Sequence, residues 1–428
     1  MLELDLDFSI DRLGECRVPS PMTGVRFVGD DERVLYASTL KELKTARDAD
    51  GPAVMEAAGP RAHLYFEPSS LACGIVTCGG LSPGMNDVIR AVVLSLTHHY
   101  GVKKIFGFRF GYEGLVQRYG HAPRELTSDN VSRIHENGGS VLGSSRGHQQ
   151  PAEMVQTLRS YRIGVLFAIG GDGTLRGAQK IGEEAARQGL RVSVVGIPKT
   201  IDNDVSFVQK TFGFETAVSE GRRAIDAAFV EATAARNGIG LVKLMGRDSG
   251  FIAAYAVLAG GHADFCLIPE VSFSLHGFLK ALERRIERSG HAVVVAAEGA
   301  GQNLIAPTGE RDVSGNIKHA DVGGFLRKAI AEHFERAGIA VNLKYIDPGY
   351  TIRSVPATAH DSAFCVLLGQ SAVHAGMSGR TNMVVSFWNH QLAHVPIPLA
   401  VSERKKIDAQ AILWNSVVAS TRQPRDMR

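Results

Sequence analysis

Net charge is almost absent from this sequence: 47 Lys and Arg face 44 Asp and Glu, leaving +3 over 428 residues. Such a balance gives no sequence-wide attraction for nucleic acid or an anionic membrane surface. Any anionic ligand must therefore be held by arginines and lysines placed locally. Cysteine is scarce too. Cys16, Cys73, Cys78, Cys266 and Cys365 are odd in number and share no short metal-type spacing, so reduced thiols in a cytoplasmic protein are expected. Long apolar runs are missing: "VLFAIGG" and "HAVVVAAEG" fall far short of the ~20 residues that span a bilayer. The opening "MLELDLDFSI" is acidic and lacks a basic region ahead of an apolar run, so it does not read as a secretory signal.

What is present is a repeated grammar. Short Val/Ile/Leu runs end in glycine and give way to helical periodicity in "ACGIVTCGGLSPGMNDVIRAVVLSL", "IGVLFAIGGDGTLRGAQK", "RVSVVGIPKTIDND", "GIGLVKLMGRDSGFIAAYA" and "HAVVVAAEGAGQ". This pattern predicts βα units, parallel sheets and an α/β class, with functional residues at the carboxyl ends of strands. The length calls for two domains plus extensions. Residues 1–70 read as an N-terminal extension that packs onto the first domain. Residues 406–428 read as a C-terminal tail ending in a frayed "TRQPRDMR".

The strand-end turns carry the chemistry. In "AIGGDGTLRG", glycines without Cβ let phosphate oxygens approach backbone N–H groups at a helix start, where Gly171, Gly173 and Thr174 stand. Asp172 suits Mg²⁺, which favours one or two carboxylates plus phosphate oxygens. The plain alternative is a tight turn with a capping aspartate. Gly79 and Gly80 in "TCGGLSPG" form a second such junction, and the two together favour a polyphosphate pocket.

In "GIPKTIDND", a carboxylate could take a proton from an attacking alcohol while cations assist the transferring phosphoryl group. If the segment is extended, Asp202 and Asp204 share one side. One acts as base and the other positions it or aids the metal. Thr200 can donate to a phosphate, and Lys199 supplies a flexible point charge. An Asx-rich turn of solvated acids is the alternative, but the apolar "VSVVGIP" before it argues for the end of a buried strand.

Met245, Gly246 and Arg247 close another strand, where the arginine suits bidentate recognition of phosphate or hydroxyl groups. Glu270 in "LIPE" can accept from sugar hydroxyls or cap a helix. Lys344, Tyr350 and Arg353 in "KYIDPGYTIR" place two cations around a phenol, either as a monophosphate clamp or as scattered surface charge.

Taken in order, "GGDGT", "PKTIDND", "KLMGR", "LIPE", "AEGAGQ" and "KYIDPGYTIR" make the chain resemble the phosphofructokinases over roughly residues 58 to 400, closest to the long plant and trypanosomatid type. The resemblance implies two Rossmann-like three-layer domains with the active site in the cleft between them. Residues 71–212, completed by 352–405, would bind the donor, and 213–351 the sugar phosphate. It implies Mg²⁺-assisted transfer to the 1-hydroxyl of fructose 6-phosphate, with Asp202 as base, Asp172 associated with the metal, and Thr200, Asp204 and Lys199 supporting. Gly79, Gly80, Tyr112, Arg146, Gly171, Gly173 and Thr174 would line the donor site. Met245, Gly246, Arg247, Glu270, Lys344, Tyr350 and Arg353 would hold the sugar phosphate. A homodimer or homotetramer is also implied. Short bacterial members supply an arginine from a neighbouring subunit, and simple alignment puts Gly238 there, beside Arg236 and Asn237.

Two positions bear on the donor. Pyrophosphate-using members carry aspartate where Gly173 stands, which would collide with the α-phosphate of ATP. They also carry lysine where Lys199 stands. The plant-like and trypanosomatid-like ATP enzymes combine the same glycine and lysine, so ATP is expected, with pyrophosphate as the alternative. Another "GGDGT" kinase, of NAD or lipid, fits the first motif but not "PKTIDND" followed by "MGR". A non-catalytic sugar-phosphate-binding paralogue is disfavoured by the intact Asp172, Asp202 and Arg247.

Overall fold

The computed structural model describes residues 6–48, 51–307, 309–311 and 318–428, so the first acids of the N-terminus lie outside the described residues. The chain divides into two compact units. One comprises Met1–Thr200, Val205–Gly213 and Val355–Arg404; the other comprises Ile201–Asp204, Phe214–Ser354 and Lys405–Arg428. Both are three-layer α/β assemblies.

The first unit is built on a nine-stranded sheet. Strands Lys104–Phe108, Ala72–Thr77, Ile163–Gly170, Ser193–Pro198 and Met383–Trp388 run parallel in that order. Every residue of Ala72–Thr77, Ile163–Gly170 and Ser193–Pro198 is buried, as expected of parallel strands covered on both faces. Alternation along Ile163–Gly170 sorts the side chains. Leu166 and Ala168 join the core against helix Asp172–Arg187, whereas Val165, Phe167 and Ile169 join the core against Met85–Tyr100 and Ala359–Met377.

The second unit has a four-stranded parallel sheet, ordered Phe265–Leu267, His291–Ala297, Gly238–Leu244, Asn342–Ile346. Helices Phe214–Thr233 and Phe251–Gly260 share one apolar cluster, and Leu275–Ser289 and Val322–Arg336 share another. The C-terminal tail is not frayed. Helix Ile412–Thr421 buries Trp414, Val417 and Val418 in the first of these clusters. Gln423 then bonds both backbone groups of Cys266, and Met427 accepts from the Ser274 backbone. The polar letters of "TRQPRDMR" suggested solvent; their hydrogen bonds instead cover the end of a strand. Among the described residues no helix is long and apolar enough to cross a membrane.

The described residues of the N-terminal extension do more than pack onto the first unit. Strand Val54–Ala57 pairs antiparallel with Gln391–Pro396, and Arg33–Leu35 adds the edge. The pairing seats Glu56 in a buried charge cluster, with Arg380 Nε at 2.7 Å, His394 Nδ1 at 2.9 Å and Arg61 at 3.3 Å. Burial alone would raise the Glu56 carboxyl. The bonds to His394 and Arg380 outweigh it and hold the carboxyl well below the ordinary range. His394, with no exposed surface, is pushed down by burial and donates as a neutral imidazole.

Removing one partner of such a cluster leaves uncompensated buried charge. Glu56→Gln is expected to cost about 3 kcal/mol or more, seen as a lower denaturant midpoint with an unchanged slope. Because the folded carboxyl titrates below its unfolded value, its contribution is complete above about pH 4–5 and is lost as pH falls further. The stability difference between wild type and variant should therefore shrink in acid.

Candidate functional site

In the first unit, parallel register aligns Thr77 with Ile169 and Gly170 with Pro198, so three loops leave the sheet at one level. The Gly79 turn requires glycine-like backbone, at φ 84°. Its N–H donates to Ser145 O at 3.0 Å and its carbonyl accepts from Ser144 Oγ at 2.6 Å. Thr77 Oγ1 donates to Gly143 O at 2.6 Å. These bonds lace the segment bearing the exposed Arg146 to the Gly79–Gly80 turn.

The second loop opens helix Asp172–Arg187 with Gly171 at its cap and no capping side chain. Its N-terminal amides and the positive end of its dipole are thus presented at the glycine turn. A Cβ on Gly173 would meet nothing within 4 Å. The Asp172 carboxylate lies 3.2 Å from Arg176 one turn on. Tyr112, expected to line a donor, sits beneath the turn: it is 6% exposed and donates to Thr174 O at 2.6 Å. Burial pushes its phenol well above the ordinary value, so it stays a hydrogen-bond donor.

From the third loop, Lys199 reaches under both turns. Its side chain is buried, its Nζ donates to Gly80 O at 2.6 Å, and its N–H donates to Gly170 O at 3.0 Å. One ammonium thus sits where the two glycine turns meet.

The acidic segment differs from expectation. Asn203 is buried with φ at +54°, in the left-handed region, so Thr200–Asp204 is a turn and not an extended run. The alternation argument for Asp202 and Asp204 does not apply. Asparagine tolerates that conformation, which is why it stands between the acids. The Thr200 carbonyl accepts from Thr211 Oγ1 at 2.7 Å. Asp204 O accepts from Lys405 N at 2.8 Å, and Ser249 Oγ donates to Lys405 O at 2.9 Å. Burial lowers the Lys405 ammonium to about 8, with the Asp204 carboxylate opposing that fall.

In the second unit, register pairs Leu244 with Ala297, bringing Met245 and Glu298 to one edge. Gly246 and Arg247 both have positive φ, 145° and 53°. The strained arginine is held by its own N–H, which donates to Glu298 Oε1 at 2.7 Å. Glu270 lies in the turn after its strand. Its Oε1 accepts from Gly250 N and Ile407 N, both at 3.0 Å, so this oxygen fixes two loops. Lys344 is exposed on the edge strand Asn342–Ile346. Tyr350 is 78% exposed, with the Arg353 guanidinium 5.0 Å from its ring centre. The buried Ile352 anchors that turn. Asn237, beside the Gly238 strand start, bonds Ala340 O at 2.9 Å.

Glu298 was missed. The signal was present, since "HAVVVAAEG" ends an apolar strand in an acid just as "LIPE" does. Among the described residues no group of three or more His, Cys, Asp or Glu converges as a metal cage. Asp172 stands as a single carboxylate at a phosphate-type turn, a donor set that fits Mg²⁺ carried mainly by phosphate oxygens and water and not a dedicated protein cage.

The phosphofructokinase family profile matches residues 72–376. The ATP-dependent 6-phosphofructokinase of Borreliella burgdorferi is 45% identical over 441 residues, covering 99% of this chain and 98% of its own. That of Trypanosoma cruzi is 46% identical over 369 residues, covering 86% and 76%. Among solved structures, the pyrophosphate-dependent phosphofructokinase of Marinobacter aquaeolei superposes with a TM-score of 0.68 at 20% identity, over 83% of this chain and 92% of that one. At that identity the likeness carries the fold alone.

Tyr112→Phe should remove the side-chain donor that the Thr174 carbonyl has beside its helical one, costing about 1 kcal/mol of stability. The measurement is a thermal or denaturant midpoint, with the donor KM rising in parallel because the glycine turn loses its brace.

Proposed function

The chain belongs to the phosphofructokinase family, and we propose that it transfers the terminal phosphoryl group of ATP to the 1-hydroxyl of fructose 6-phosphate. Near-full-length identity to relatives named as ATP-dependent enzymes supports the reaction. The observation that carries the donor is Gly173, exposed at the helix start with open space where a side chain would stand.

In this reading the two glycine turns and the helix start hold the polyphosphate, with Arg146 at the rim. Mg²⁺, when bound through Asp172, offsets phosphoryl charge. Lys199 places a fixed positive charge between the turns, and Thr200 donates to a phosphate oxygen. Asp202 accepts the proton of the attacking hydroxyl. Asp204, pinned by the Lys405 backbone, fixes the turn that presents it. Arg247, Lys344, Tyr350 and Arg353 recognise the sugar phosphate beside Met245. Glu298 joins Glu270 as a carboxylate for the sugar hydroxyls, each of them using Oε1 for backbone N–H groups. All five cysteines are free thiols, and burial raises Cys73, Cys78, Cys266 and Cys365, in keeping with a reducing compartment such as the cytoplasm. The working form is a homodimer or homotetramer.

Pyrophosphate is the second reading, and Lys199 is the residue that favours it. Initial rates with ATP and with pyrophosphate in parallel separate the two, and turnover with pyrophosphate alone would overturn the first. Asp202→Asn should lower kcat on the order of 10²–10⁴-fold with little change in either KM; unchanged turnover would exclude Asp202 as base. Gly173→Asp should raise the KM for ATP roughly tenfold or more, by placing a carboxylate against the nucleotide phosphates.

A further inference from the structure

The described segment at Ala320 is fastened beside the strand end at Glu298. Gln302 clamps it from both sides: Nε2 donates to Glu298 O at 2.8 Å and Ala320 O at 3.1 Å, while Oε1 accepts from Ala320 N at 2.9 Å. Two residues past His319, Asp321 lies 3.6 Å from Lys243 Nζ, a second tie to the neighbouring strand. So held, His319 places Nε2 3.1 Å from Asp248 Oδ1. Asp248 is the residue after Arg247, whose Nε lies 4.0 Å from the same carboxylate. One carboxylate therefore stands between two cations, and the Arg247 backbone is fixed from its other side by Glu298.

We infer that the His319–Asp248 ion pair is a positioning device for Arg247, and that it makes affinity for the sugar phosphate depend on pH. The inference rests on the reading of Arg247 as a sugar-phosphate contact. When His319 is charged, it occupies the Asp248 carboxylate and leaves the Arg247 guanidinium directed at an incoming phosphate. When His319 is neutral, Asp248 competes with the phosphate for Arg247, and one positive charge is lost beside a dianion.

The groups facing the imidazole set the direction. Asp248 raises its pKa above the ordinary histidine value; burial opposes this, Glu298 adds to it, and Arg247 subtracts. A histidine with a raised pKa is fully charged below the ordinary value of about 6.5 and loses its charge as pH rises through the higher folded value. Acceptor affinity should therefore fall on the alkaline side. The substrate's own second phosphate ionisation, near pH 6, acts in the opposite sense, since the dianion forms as pH rises and binds cations more tightly.

The test is KM for fructose 6-phosphate and kcat, at saturating ATP and Mg²⁺, from about pH 6 to 9. Wild type should show a KM that rises roughly fivefold or more through one inflection above the ordinary histidine range. His319→Gln should show the high KM throughout, flat with pH, and a kcat within about twofold of wild type. His319→Lys should keep the low KM and lose the inflection, and this rescue separates charge from packing. A wild-type profile in His319→Gln, or a high flat KM in His319→Lys, would overturn the inference. Arg247→Gln is the control for the underlying reading. If it leaves KM unchanged, that reading fails and the inference with it; if it raises KM while His319→Gln does not, the inference alone fails.

Discussion

Parallel register is the constraint on which the rest of this structure depends. Because Ala72–Thr77, Ile163–Gly170 and Ser193–Pro198 pair in the same direction, each ends at one level, and three loops must turn there. An antiparallel neighbour would send its loop to the opposite end. The same rule in the second unit brings Met245 and Glu298 together from strands whose sequences lie some fifty residues apart. At these edges the backbone N–H groups leave the ladder and helix starts are presented, the arrangement that suits an anion.

The residues that turn the chain at these edges carry the strain. Gly79, Asn203, Gly246 and Arg247 all have positive φ. Glycine adopts it without penalty, asparagine at a modest one, and arginine only when something holds it. Glu298 does so for Arg247 through a hydrogen bond from its N–H to a carboxylate. The acidic turn is held by backbone instead: Lys405 N–H donates to Asp204 O from far along the chain, and Ser249 Oγ donates to Lys405 O. The geometry of both turns thus depends on residues distant from them in sequence.

Most of the α/β grammar was legible, because fully buried parallel strands leave continuous Val/Ile/Leu runs and their turns leave glycine. The glycine turns and the cationic Lys199 could be found the same way. What could not be read were partners distant in sequence. Nothing local to Glu56 shows that it meets Arg380 and His394, and nothing local to Gln423 shows that it bonds Cys266. The turn at Asn203 was misjudged because alternation was assumed where one left-handed residue breaks it. Glu298 was passed over because a second acidic strand end, at Glu270, had already filled the role.

The conflict between Gly173 and Lys199 over the donor also changes character once both are placed. A lysine free to swing could favour whichever small anion arrives. Here the ammonium is buried, bonded to the Gly80 carbonyl, and its backbone is bonded to Gly170. It links the two glycine turns, a task that either donor requires, and so it discriminates weakly between them. Gly173 borders open space, and a carboxylate there would stand in that space at a helix start whose dipole favours anions. The relatives at 45% identity are named for ATP. In the proposed reading the sheet register only brings the turns together, and the choice of donor is assigned to Gly173, a position at which a Cβ would meet nothing within 4 Å.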